Sequence, residues 1–150
     1  VREIKFRGKR LDNGEWIYGS LLILTTGYYI VPTDTCYNEL IDVDMGEKIT
    51  LNALWEHNDF HEVVPKTVGQ YTGLKDKNGE AIFEKDIVKN IKTGKMYTIK
   101  WHGVFAGFIY DDIAFNHSHK SEWGELYLCY MKFEVIGSIH KNPELLGVSK

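Results

Sequence analysis

The stretch "KDKNGEAIFEKDIVK", residues 75 to 89, decides how this chain reads: a reversing turn, a short apolar strand, a charged corner and a second strand. Asn78-Gly79 accepts the positive φ of a tight reversal at little cost. Ile82 and Phe83 then bring apolar surface, and Glu84-Lys85-Asp86 turns the chain again toward Ile87 and Val88. A carboxylate at such a corner accepts hydrogen bonds from nearby main-chain N–H groups, so Asp86 reads as an architectural acid rather than a catalytic one.

Working outward, the second half continues in the same idiom. Val68 to Thr72 reads as a short strand, Asp76 to Gly79 as a turn, Ala81 to Phe83 as an extended segment, and Ile87 to Ile91 as a strand. Thr93-Gly94 turns into Met96 to Trp101, His102-Gly103 turns into Val104 to Tyr110, and Leu126 to Met131 and Phe133 to Ile139 complete the set. Short strands joined by tight turns predict a small, strongly bent, SH3-like barrel over residues 67–150. In "NPELL", Asn142 can cap and Pro143 suits a first helical position, so a short helical turn is expected there, with Leu145 and Leu146 plugging the barrel end.

The first half, residues 1–66, is also strand country. "GEWIYGSLLILTTGYYIV", residues 14 to 31, predicts a hairpin turning at Thr26-Gly27, preceded by a turn at Asp12-Asn13-Gly14. Residues 32 to 46 read as a long polar loop, part of an acidic stretch that runs to residue 62. Residues 49 to 60, "ITLNALWEHNDF", fit a strand or a helical face, with the strand preferred. The whole is read as a single mostly β domain.

Composition sets the limits. A chain of 150 residues with 43% hydrophobic and 26% charged residues is ordinary for a globular protein, and Tyr 9, Phe 7 and Trp 4 against three prolines favour strands. Folding at this size removes roughly 70% of the surface of the unfolded chain, so no staples are required. The longest apolar run, Leu21 to Leu24, is too short to cross a bilayer, and the first residues lack a signal-peptide core. The expectation is a cytoplasmic protein without membrane partners. Cys36 and Cys129 lack the number and spacing of a disulfide framework and read as reduced thiols.

Three segments together carry a family resemblance: "FRGKRLDNGEWIYGSL" at 6 to 21, "TVGQYTGLKDKNGEAIFEKDIV" at 67 to 88, and "FEVIGSIHKNPELL" at 133 to 146. In this order they resemble the YopX family, small proteins of bacteriophages and prophages of Gram-positive hosts. The resemblance implies a mostly β fold of coiled and bifurcated sheets, and brings no catalytic motif with it. The family pattern has Glu-Gly-Asp where this chain has Glu84-Lys85-Asp86. Lys85 must therefore either stay in an ordinary backbone region or sit at positive φ with roughly 1 kcal/mol of strain.

Catalytic and metal-binding signatures are weak. His57 and His61 would share one helical face, but Asn58 stands where a metalloprotease helix carries its glutamate, and surface histidines are the better reading. His117 and His119 sit in "FNHSHKSEWGE", which reads as an exposed loop without further ligands nearby. No serine has a nucleophile-elbow context, and Gly69 and Gly73 flank Tyr71 inside a β segment rather than opening a helix, which excludes a dinucleotide fingerprint. Neither enzyme activity nor a cofactor or metal is expected.

Charge is the sharper signal. Net charge is −3, yet residues 1 to 10 carry +4, residues 34 to 62 carry −7 and residues 84 to 101 carry +3. Such segregation suits association of complementary patches between copies, so a homo-oligomer and a host or phage protein partner are expected. The alternative is nucleic-acid binding through Lys85, Lys89, Lys92 and Lys95 with Trp101 nearby, although lysines also line hairpins simply to discourage edge pairing. Trp16, Tyr18, Tyr71 and Trp101 read as core or half-buried sheet residues, any of which would mark a contact site if exposed.

Overall fold

The computed structural model describes residues 3–32, 60–113, 123–125 and 130–146. The chain forms two compact units, Ile4–Gln70 and Tyr71–Lys150 with Val1–Glu3. The long loop, residues 49 to 59, Cys36, Cys129, His57, His117 and His119 lie outside the described residues.

In the first unit, β1 (Phe6–Lys9), β2 (Trp16–Leu24), β3 (Gly27–Pro32) and β4 (His61–Glu62) form an antiparallel sheet in the order β4-β3-β2-β1. Beyond β1, Arg7 and Phe6 pair with Gly69 and Gln70, the first residues of β5 (Gly69–Lys75). The β2–β3 turn falls at Thr25-Thr26, one residue earlier than expected, because Gly27 is already paired with Leu24. Ile30 and Val63 are fully buried, and Gly8 lies against both, where a methyl group would stand 3.0 Å from the Val63 Cβ. Gly19 is required more strictly: a methyl there would run into the main-chain carbonyl of Val31.

In the second unit, Tyr71 and Lys75 of β5 pair with Phe83 and Ala81 of β6 (Ala81–Phe83). A five-stranded antiparallel sheet follows in the order β10-β9-β8-β7-β11, from β7 (Asp86–Asn90), β8 (Met96–His102), β9 (Gly107–Asp112), β10 (Trp123–Glu125) and β11 (Phe133–Ser138). Its core is Ile82, Val88, Tyr97, Ile99 and Phe133, with Leu74, Phe108, Tyr110 and Val135 packed against it. Tyr97 and Tyr110 meet edge to face at 5.0 Å, and both contact Phe133. Period-2 alternation explains this face, since Tyr97 and Ile99 lie opposite Asp112 and Tyr110 in the ladder.

The mostly β class holds, but several details differ. Among the described residues the sheet order is open, with β10 and β11 at its edges, and the expected SH3-like closure is not seen. β10 arises in a segment read as loop, because pairing with Asp111, Tyr110 and Ile109 outweighs its weak local preference. Met131 belongs to a 3-10 turn, Tyr130–Lys132, rather than a strand. Val104 to Ala106 form the β8–β9 turn rather than the start of β9, with Ala106 at a φ of 47°. The C-terminal helical turn is present as the 3-10 turn Pro143–Leu146, but none of its residues is buried, so Leu145 and Leu146 are not a plug.

The corner of the opening stretch is architectural. Asp86, 1% exposed, accepts the Phe83 N–H through Oδ2 at 2.7 Å. Lys85 takes positive φ, at 69°, and is held by N–H donation to the Ile99 carbonyl at 2.8 Å and by its own carbonyl accepting from Ile139 at 3.0 Å.

Candidate functional site

The lysine-rich hairpin and its tryptophan do not form one patch. Lys92 and Lys95 are exposed at the β7–β8 turn, which Asn90 organises by accepting the N–H groups of Lys92 and Thr93 through its side chain at 2.9 and 3.1 Å. Lys89 is exposed on the sheet face opposite the aromatic core, across from Glu134 and Met96. Trp101 stands six residues from Lys95 along β8, about 20 Å at the rise of an extended strand. Lys85 lies at this far end as well, through its bond to Ile99.

At that far end, the β8–β9 hairpin gathers exposed apolar groups. Trp101 continues the core face of Tyr97 and Ile99 and meets its partner Phe108 edge to face at 5.1 Å. Trp101 is 47% exposed, Phe105 48% and Val104 87%. His102 stacks on Phe105 at 4.7 Å, so the turn is tied to the strand beneath it. Nearby on the other face, Lys100 forms an ion pair with Asp111, which offsets its charge. The sequence did not reveal this cluster because "VFAGFIY" has the apolar run of a strand.

A second constellation lies on the first unit. The register Arg7↔Tyr18 and Lys9↔Trp16 places cations opposite aromatic rings on one face. Arg7 stands over the Trp16 ring at 5.0 Å, with Lys9 at 5.8 Å from it, and Lys5 stands over Tyr18 at 5.8 Å. Tyr18 is 42% exposed, whereas Arg7 is only 8% exposed.

A third feature is a surface cleft of about 440 Å³ lined by Arg10, Leu11, Asp12, Phe60, His61 and Glu62. The Arg10 guanidinium grips the Asp12 carboxylate with two bonds, at 3.0 and 2.6 Å. That hydrogen bonding raises Arg10 above its ordinary pKa and lowers Asp12 below the usual carboxylate value. The fork is thereby occupied from within. His61 stands in β4 and not on a helix, so the helical His57/His61 arrangement does not apply to it. Among the described residues, no three His, Cys, Asp or Glu side chains gather as a metal site, and no helix is long and apolar enough to cross a membrane.

The model of the YopX family, described as YopX protein, matches residues 5–147. The chain belongs to the YopX family. No curated protein matches this YopX chain. Among solved structures it is similar to the crystal structure of protein EF1440 from Enterococcus faecalis, with 24% identity over 97% of this chain and 99% of that one and a TM-score of 0.53. At that identity the likeness bears on the fold alone.

Proposed function

We propose that this YopX-family chain is a phage or prophage protein that acts in the bacterial host cytoplasm as a non-catalytic interaction module, docking a host or phage protein on the end of its β8–β9 hairpin. The observation that carries this reading is the exposure of Trp101, Val104 and Phe105 together on one hairpin. A monomer in water gains nothing from exposing three apolar side chains at one hairpin end, whereas an aromatic anchor burying itself in a partner's pocket is the usual centre of a protein interface. The neighbouring charge is offset by the Lys100–Asp111 pair, which suits a protein partner better than a polyanion.

Charge segregation between residues 1–10 and 34–62 supports association between copies in addition. Sedimentation at low and high salt tests it: an oligomer weakened by salt is expected, and a monomer at every salt concentration removes it. The docking surface is tested by affinity capture of the tagged protein from host lysate after nuclease treatment, with Val104→Asp in parallel. A defined protein held by the native chain and lost by V104D supports the reading; equal recovery by both chains overturns it.

A further inference from the structure

We propose that the β1–β2 face built from Lys5, Lys9, Trp16 and Tyr18 is a binding strip for single-stranded nucleic acid. It belongs to the first unit, whereas the β8–β9 hairpin belongs to the second, and its ligand is set by chemistry rather than by shape. Single strands are held without sequence preference by cations that follow the phosphates and by aromatic rings on which bases stack. Both components are in register here. Arg7 and Lys9 alternate along β1, about 6.8 Å apart at the strand rise, with Lys5 just before the strand, and Tyr18 and Trp16 lie opposite Arg7 and Lys9 on the adjacent strand.

The components differ in role. Arg7 is packed against Trp16 and only 8% exposed, so it positions the indole. Lys5 and Lys9 are half-buried, and their ammonium groups stand 5.8 Å from the ring centroids of Tyr18 and Trp16. Tyr18, 42% exposed, is the platform for a base. Aromatic rings distinguish this strip from the Lys92–Lys95 turn, which lies far along its hairpin from Trp101. They also favour a nucleic acid over an acidic peptide, which has charge to offer but no flat π-face.

The test is fluorescence anisotropy of a labelled oligothymidylate of about 16 nucleotides against the whole chain at increasing salt. Two phosphate contacts predict a salt slope of about −1.4, which falls by about 0.7 in Lys5→Gln and again in Lys9→Gln. Tyr18→Ala should weaken binding about five- to 150-fold, and Tyr18→Phe should retain it, with thermal melts confirming that each variant is folded. Lys92→Gln with Lys95→Gln should leave binding unchanged. Absence of binding at low salt overturns the proposal. So does binding that ignores the strip and is lost with K92Q and K95Q. Displacement by oligoglutamate charge for charge, with no effect of Tyr18→Ala, would mark an acidic-peptide surface and overturn it too.

Discussion

The main-chain N–H of Lys85 donates to the carbonyl of Ile99 at 2.8 Å while Lys85 holds a φ of 69°. A β-carbon in the left-handed region costs about 1 kcal/mol, a cost that glycine avoids. Lys85→Gly should therefore stabilise the protein by about that amount, offset in part by the greater freedom of glycine in the unfolded chain. The net gain should raise the melting temperature by up to about 2 °C; a clear fall would contradict the strain.

Asp76 ties the first turn of the opening stretch to a strand far away in sequence. It is 3% exposed and accepts from Asn78 and Glu80 through Oδ1 at 2.7 and 2.9 Å, and from Val135 through Oδ2 at 2.9 Å. Asp76→Ala leaves those donors without their acceptor and should cost about 3 kcal/mol in urea denaturation. Asp76→Asn, which keeps one carbonyl oxygen, should fall between the two.

Gly19 faces the carbonyl of Val31 with no room for a methyl group, and the obstacle is main chain, which cannot swing aside. Gly19→Ala should cost about 3 kcal/mol or more, whereas Ser20→Ala, at the next and exposed position, should stay within about 0.5 kcal/mol. Equal melting temperatures for the two variants would contradict the close approach of β2 and β3.

Tyr71 makes stability sensitive to alkali. Burial, and secondarily the charge of Glu3, raises its phenol above the ordinary value of 10.0. The folded chain therefore keeps this proton to higher pH than the unfolded one, and its contribution is lost as pH rises above the unfolded value. In denaturation series between about pH 9 and 11, Tyr71→Phe should show the shallower decline. Parallel declines would refute the assignment.

Val104 is 87% exposed and contributes little to the fold, so Val104→Asp should change the melting temperature by less than about 1 °C while abolishing partner capture. A large loss of stability would instead make the hairpin end part of the folded core.

Most strands and turns are legible in the local sequence. Those signals are local: alternation places Tyr97 and Ile99 on one face, Asn78-Gly79 permits a reversal, and an acid at residue 86 can accept from the turn beside it. The segments at 6 to 21, 67 to 88 and 133 to 146 also carried the family. Tertiary structure decided what depends on partners distant in the chain. It placed Lys9 opposite Trp16, carried Asp76 to Val135, drew Trp123–Glu125 from a polar segment into a strand, and separated Trp101 from Lys92 and Lys95. It also left Val104 and Phe105 exposed on a turn although their composition suits a buried strand. Strand propensity measures how well a residue fits a pleated surface, but pairing register and burial are fixed only when another segment arrives to supply that surface.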